Sequence, residues 1–299
     1  MRLATFDAGR GQRVAIVGAD DTLIPINDAI PEGPTDMIGV LEAGDPLYAR
    51  LRDLAARASG GAKVTTVRLF APIPRPRRNV FCVGWNYSKH FQERAKMRAE
   101  AGAPGQREVP EYPALFSKNP ATVTGPDAPV WYPDPHSEQL DWEVELAVVI
   151  GRGGRDISEE GAMSHVFGYT CANDVSVRDV QRRHGGQWFK GKNFDSHLPM
   201  GPWIVTADEL DPSALRLQTR VNGVTKQDSN TRFMVFKLPR LIKEFSAGTA
   251  LEPGDMMITG TPEGVGSARK PPEFMKIDDT VEVEIEGIGV LRNTVQGRP

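Results

Sequence analysis

The stretch Asp141-Trp-Glu-Val-Glu-Leu-Ala-Val-Val-Ile150 constrains the fold more than any other. Read as a strand over Leu140–Ile150, its alternation places Glu143, Glu145, Ala147 and Val149 on one face. Val144, Leu146, Val148 and Ile150 fall on the other. Both faces are apolar at the far end, which predicts a central strand covered on both sides. The two carboxylates then point the same way at the end of a buried surface. Burying like charges side by side costs several kcal/mol per ion unless something neutralises them. A divalent cation does so directly, and side chains two apart on a strand can converge on one ion. Spacing leaves a second reading open, in which the pair lies on a solvated edge.

The C-terminal run Val281-Glu-Val-Glu-Ile-Glu286 is a contrast. Glu282, Glu284 and Glu286 make one face wholly acidic and the other is wholly apolar, the pattern of a half-exposed strand. A metal site at Glu143 and Glu145 needs a third acid. Asp174 supplies one at the polar end of the apolar run Val166–Thr170, and Asp179 is its rival unless it pairs with Arg178 or caps a helix. Three carboxylates suit octahedral Mg²⁺ or Mn²⁺, whereas zinc prefers nitrogen and sulfur.

Three further segments carry chemistry-bearing side chains. Ser88 is a candidate N-cap, which puts His90 and Glu93 on one helical face. A carboxylate that orients an imidazole makes it a better base toward water, although such pairs also occur on solvated helices. The breaker-rich stretch 102–112 beside it reads as a loop, and the helix and loop near 86–112 as a lid. Lys190 and Lys192 sit in an aromatic turn around Trp188. A lysine beside a metal can stabilise an enolate, and spacing does not separate that role from a surface position. Gly260-Thr-Pro-Glu-Gly-Val-Gly266 lacks the Lys-Ser/Thr ending of a phosphate loop, so nucleotide binding is not expected. It is either a tight turn or a nest of N–H groups that captures a carboxylate.

Composition sets the outer bounds. The 299 residues carry 36 Lys plus Arg against 39 Asp plus Glu, a formal net charge of −3, which gives no footprint for nucleic acid or acidic membranes. With 39% hydrophobic and 25% charged residues the chain is an ordinary globular one. Its longest apolar run, Leu146–Ile150, is far short of the roughly 20 residues of a membrane helix. No apolar leader is evident, so a soluble cytoplasmic protein is expected. Cys82 and Cys171 lie in apolar surroundings and read as buried inert thiols.

Residues 1–70 read as a small α/β unit with a hairpin (Arg13–Gly18, Leu23–Ile26) and a helix over Pro46–Ala58. A proline-rich connector, Ala71–Arg78, leads to a second unit at 71–299 with many short strands and helices at Ser88–Gly102 and Arg232–Phe245. Regular strand–helix alternation is missing, so the fold class is α+β and β-rich rather than doubly wound.

The ordered motifs Val-Gly-x-Asn-Tyr-x-x-His, Glu-x-Glu, Asn-Asp-Val-Ser-x-Arg-Asp-x-Gln, Gly-Lys-x-Phe-Asp, Met-Gly-Pro-Trp and Thr-Gly-Thr-Pro-Glu-Gly-Val-Gly resemble the fumarylacetoacetate hydrolase superfamily. The likeness covers about residues 75–295. It implies a mixed β-sandwich roll, a homodimer, and Mg²⁺ or Mn²⁺ held by three carboxylates. Carried over, Glu143, Glu145 and Asp174 look like metal ligands, and His90 and Glu93 like the water-activating dyad. Lys192 looks like the lysine facing an enolate, and Arg178, Gln181 and Thr261 like substrate contacts. No Asp or Glu lies between Asn79 and Gln92, which fits the three-carboxylate branch of the superfamily. Chemically, these parts suit a 2-oxo acid. The expected activity is a hydrolase that cleaves a C–C bond of an acylpyruvate, such as a fumaryl- or maleylpyruvate-like dioate, and releases pyruvate. Lys118, Lys190 and Arg178 are candidate cations for the distal carboxylate. Oxaloacetate decarboxylation, hydroxyheptadienedioate isomerisation and hydrolysis of keto-deoxy sugar acids are alternatives on the same scaffold. A non-catalytic binding protein is a further alternative.

Overall fold

A computed structural model describes residues 1–9, 11–57, 60–89 and 110–298. The expected dyad His90 and Glu93, and most of the expected lid, lie outside the described residues. Two sheets dominate. The larger has eleven strands. At its centre Val144–Ile150 pairs antiparallel with Val166–Asn173 on one side and with Met256–Ile258 on the other. Beyond Met256–Ile258 come Val80–Gly84, in parallel, and then the edge strand Ala114–Lys118. On the opposite flank Val166–Asn173 pairs with Leu198–Thr206, which pairs in turn with Arg2–Asp7. The hairpin Gln12–Val17 and Thr22–Pro25 extends the sheet further, so it runs across the boundary expected near residue 71.

The second sheet has five strands, in the order Val224–Asn230, Arg216–Val221, Thr280–Ile285, Gly289–Gln296 and Pro129–Trp131. It packs on one face of the large sheet through Leu146, Val148, Tyr169, Leu217, Val283 and Leu291. The helical segment Met37–Arg57, kinked at Gly44, lies on the other side, where Ala147 and Val149 share one core with Leu41, Leu47 and Leu51. The chain is therefore a β-rich sandwich, as its pattern predicts, and the central strand is buried on both sides along its whole length. The contrasting acidic strand is half-exposed. Val281, Val283 and Ile285 are buried, while Glu282 and Glu284 pair with Arg220.

Two of the boundaries that differ from expectation have causes in contacts between distant segments. The strand expected over Leu140–Ile150 is broken at Trp142 and Glu143. Leu140–Asp141 pairs instead with Ser176–Val177 in a separate two-stranded sheet. The helix expected from Arg232 begins at Leu238. Asn86 holds the preceding residues extended, since its carbonyl accepts from Val235 N–H and its side chain from Phe236 N–H. Pro239 then falls in the first helical turn, where its missing N–H costs nothing. Among the described residues no helix is long and apolar enough to cross a membrane.

Candidate active site

The register of the central strands builds the site. Val144 lies opposite Asn173 and Glu145 opposite Ala172, so the chain leaving the second strand carries Asp174 back toward Glu143. Two bonds fasten that corner: Asp174 N–H donates to the Glu143 carbonyl at 2.9 Å, and Glu143 N–H to Asn173 Oδ1 at 3.0 Å. The result is a cluster of three buried carboxylates, Glu143, Glu145 and Asp174, whose nearest oxygens all lie within 4.8 Å of one another. One cation with oxygen bonds of about 2.0–2.6 Å can bridge such a set.

Basic groups face this cluster from three elements. The helical turn Phe189–Lys192 delivers Lys192, whose ammonium lies 2.6 Å from Glu143 Oε2 and 2.5 Å from Asp174 Oδ2. Asn193 pins this turn by donating to the Phe189 and Ser117 carbonyls. The helix Arg178–Arg183 delivers Arg178, which lies 2.6 Å from Glu143 Oε1 and 2.7 Å from Asp141 Oδ2. The edge strand delivers Lys118. It is fully buried behind Asp174, donating to its Oδ1 at 2.7 Å and to the Val175 carbonyl at 3.2 Å. Burial alone would depress Lys192, but Asp174 and Glu143 outweigh it and hold the ammonium above its usual range.

Glu145 is treated differently. It accepts from Gly260 N–H at 2.6 Å, and among the described residues no lysine or arginine lies within ion-pair distance of it. Burial, then the charges of Asp174 and Glu143, push its carboxyl well above the usual range. Four acids, counting Asp141, thus face three cations. An all-oxygen donor set with a surplus buried carboxylate fits a hard divalent cation rather than zinc.

Glu143 and Glu145 of the cluster open onto a narrow cleft that is also lined by Trp85, Phe116, Arg178, Gln181, Trp188 and Thr261. Trp188 meets both Trp85 and Phe116 edge-on, with centroids 4.8 and 5.3 Å apart. Gly84 is required beneath it, because a Cβ there would lie 2.3 Å from the Trp188 ring. Trp85 itself holds a φ of 57°, an unusual backbone state for so bulky a residue.

Most residues singled out from the sequence converge here: Glu143, Glu145, Asp174, Lys192, Arg178, Gln181 and Thr261 all belong to the cluster or line the cleft. Lys118 does not line it, since it lies beneath the acids, and Lys190 is exposed over the Phe194 ring. Asp179 stands apart, bonded to Ser137 and Arg183, and Asp174 is the one that joins the carboxylate cluster. The glycine-rich turn does capture carboxylates, but they are the protein's own. Gly260 N–H holds Glu145, while Gly266 and Ser267 N–H hold Asp141 at 2.7 and 3.0 Å. Sequence reasoning missed two supporting groups. Asp141 joins Arg178 to that turn, and Gln227 reaches in from the second sheet.

Comparison with known proteins agrees with this geometry. Residues 79–296 match the family model described as fumarylacetoacetate (FAA) hydrolase C-terminal. The chain is 38% identical over 310 residues to oxaloacetate tautomerase YisK of Bacillus subtilis (strain 168), covering 99% of this chain and 100% of that protein. It is 42% identical over 300 residues to the mitochondrial oxaloacetate tautomerase FAHD2A of Homo sapiens, covering 99% and 91%. Among solved structures it is similar to maleylpyruvate hydrolase from Sphingobium sp. SYK-6 in complex with manganese (II) ion and pyruvate. There the TM-score is 0.79 with 30% identity, and both chains are covered in full. The family match over residues 79–296, with a relative 38% identical along nearly the whole chain, places this chain in the fumarylacetoacetate hydrolase family.

Proposed function

We propose that the chain is a Mg²⁺- or Mn²⁺-dependent enzyme that interconverts the keto and enol forms of a short 2-oxo dicarboxylate of the oxaloacetate type. The observation that carries this reading is the Lys192 ammonium, set between Glu143 and Asp174 on the wall of the cleft. Enolisation passes a proton from carbon to water acting as base and returns one to the neighbouring oxygen, and a fixed ammonium in the cleft is suited to hold the negative charge that gathers on that oxygen in between. Glu143, Glu145 and Asp174 would hold the metal, which supplies Lewis-acid polarisation of a keto oxygen when bound. Arg178, Gln181 and Thr261 offer donors to a carboxylate, and the rings of Trp85, Phe116 and Trp188 exclude water from the reacting end. The names of the similar tautomerases support the same substrate class.

A second reading, hydrolysis of an acylpyruvate to release pyruvate, draws on His90 and Glu93 in the sequence and on the similarity to maleylpyruvate hydrolase. In that reaction His90 would take the proton of the attacking water. The experiment that separates the two follows the ultraviolet absorbance of enol-oxaloacetate, with Mg²⁺ or Mn²⁺ and with EDTA, beside pyruvate release from a panel of acylpyruvates. Metal-dependent acceleration of the enol–keto exchange is expected, at a rate that His90→Ala leaves largely in place. No acceleration, together with His90-dependent pyruvate release, would replace tautomerisation by hydrolysis.

A further inference from the structure

Gln227 stands on Val224–Asn230 of the five-stranded sheet, outside the cleft, and is 1% exposed. Its side-chain amide makes four hydrogen bonds. Oε1 accepts from Val144 N–H at 3.0 Å and from the Thr219 hydroxyl at 2.8 Å. Nε2 donates to Thr261 Oγ1 and to the Pro262 carbonyl, both at 2.9 Å. A backbone N–H can only donate and a carbonyl can only accept. Val144 and Pro262 together therefore fix which end of the amide is which, with no freedom to flip. The Thr261 oxygen must then act as an acceptor toward Gln227, and its own hydrogen has to point elsewhere. Among the described residues no acceptor for that hydrogen is found, and Thr261 lines the cleft beside Glu143, Glu145, Arg178 and Lys192.

We infer that Gln227 is a positioning residue that fixes the Thr261 hydroxyl as a donor toward an anionic ligand oxygen in the cleft. Through Val144, whose N–H lies between Glu143 and Glu145 in the chain, the same amide sets the distance from that donor to the carboxylate cluster. Gly260, next to Thr261, already touches Glu145, so the turn is tied to the central strand at two points. A wall of donors, with the Thr261 hydroxyl locked to match, selects a carboxylate oxygen over a hydroxyl or amine at that position. The inference rests on the cleft being a 2-oxo acid site.

The test uses the full chain loaded with Mn²⁺, with oxalate as the probe in titration calorimetry and oxaloacetate as substrate. In Gln227→Glu, buried as its neutral acid, the Val144 and Thr219 bonds are kept and the carboxyl O–H donates to the Pro262 carbonyl, so that same oxygen now accepts from Thr261 and turns its hydrogen away from the cleft. Oxalate affinity should fall roughly ten- to hundredfold, the range for losing a hydrogen bond to a charged group. KM for oxaloacetate should rise by a similar factor, with kcat and Mn²⁺ affinity within about twofold. Thr261→Val should give the same loss, Thr261→Ser should not, and the double variant should be no weaker than Thr261→Val alone. If Gln227→Glu does not fold, Gln227→Met, which lets the hydroxyl rotate freely, takes its place in the cycle with a smaller loss and the same non-additivity. Wild-type oxalate affinity in the Gln227 variants, losses that multiply, or a drop in Mn²⁺ affinity large enough to explain them would overturn the inference. A wild-type protein that binds Mn²⁺ but not oxalate would instead overturn the 2-oxo acid reading, and this inference with it.

Discussion

Replacing Glu145 by Gln keeps the shape of the side chain and removes the one carboxylate in the cluster that no lysine or arginine reaches among the described residues. Like charges within 4.8 Å of one another repel by about 3 to 4 kcal/mol at an effective dielectric of about 20. The lysines and Arg178 cancel part of the charge on Glu143 and Asp174, so the metal-free gain from the substitution is of order 1–3 kcal/mol. Its pH dependence has a definite sign. The folded carboxyl lies above its unfolded value, so its contribution is fully present below the unfolded pKa and is lost as pH rises through the folded one. Metal-free E145Q should therefore gain on wild type as pH rises, and the two should converge in acid. With metal the order reverses. A ligand at about a hundredfold excess over its Kd stabilises the fold by about 2.7 kcal/mol. At about 2.1 cal/mol/K per residue, 299 residues give an unfolding entropy of about 0.6 kcal/mol/K, so Mg²⁺ or Mn²⁺ should raise the wild-type melting temperature by about 4 °C. The shift should be absent in E145Q. Calorimetric melts of both proteins, with metal and with EDTA, check this. An equal metal shift in both, or a metal-free E145Q that melts lower at alkaline pH, would refute the assignment of Glu145 as a surplus charge awaiting a cation.

Other groups give equally direct tests. Lys192→Met should lower kcat on oxaloacetate by about 10²-fold or more, while tightening Mn²⁺ binding, since Glu143 and Asp174 lose a competing cation; weaker Mn²⁺ binding in a titration would contradict the placement of Lys192. Asp141→Asn takes from buried Arg178 one of its two carboxylates and leaves Glu143 as the other. A cost of up to about 3 kcal/mol is expected, or a melting temperature up to about 5 °C lower, read by thermal denaturation. His197 donates from Nε2 to the Trp131 carbonyl, its Nδ1 meets no partner among the described residues, and burial holds its pKa down at about 3. Its contribution is complete above the unfolded value of 6.5 and is lost as pH falls toward 3, about 2 kcal/mol of it by about pH 5. Urea unfolding at about pH 7.5 and 5 should reveal that loss in wild type and a smaller one in His197→Gln.

Much of the site was legible because chemistry and pattern coincide within single segments. Glu143 and Glu145 advertise themselves by standing on a strand that is otherwise apolar on both faces, and Asp174 by closing an apolar run. What was not legible depends on contacts between distant segments. Gln227 sits in Val-Thr-Lys-Gln-Asp-Ser-Asn, a polar strand that gives no local sign of burial, and its partner Val144 is 83 residues away. Lys118 reads as a free cation until the edge strand is placed behind Asp174. The break at Trp142 likewise follows from Asp141, which anchors the glycine-rich turn through Gly266 and Ser267 instead of continuing the central strand. The late start of the helix at Leu238 depends on Asn86, which is 150 residues from Phe236.

The rings of Trp85 and Trp188 meet each other, and Phe116 joins them to the charges below, since the Lys192 ammonium lies 5.3 Å from its centroid. Ring packing and ion pairing thus occupy two tiers that meet at Phe116. A different ring at Trp85 or Trp188 would reshape the space above the ion pairs without removing a contact of Lys192, whereas one at Phe116 would remove it. On the 2-oxo acid reading, such a division would let one chemical base serve a series of related keto acids, with new preferences acquired by exchanging wall panels rather than foundations.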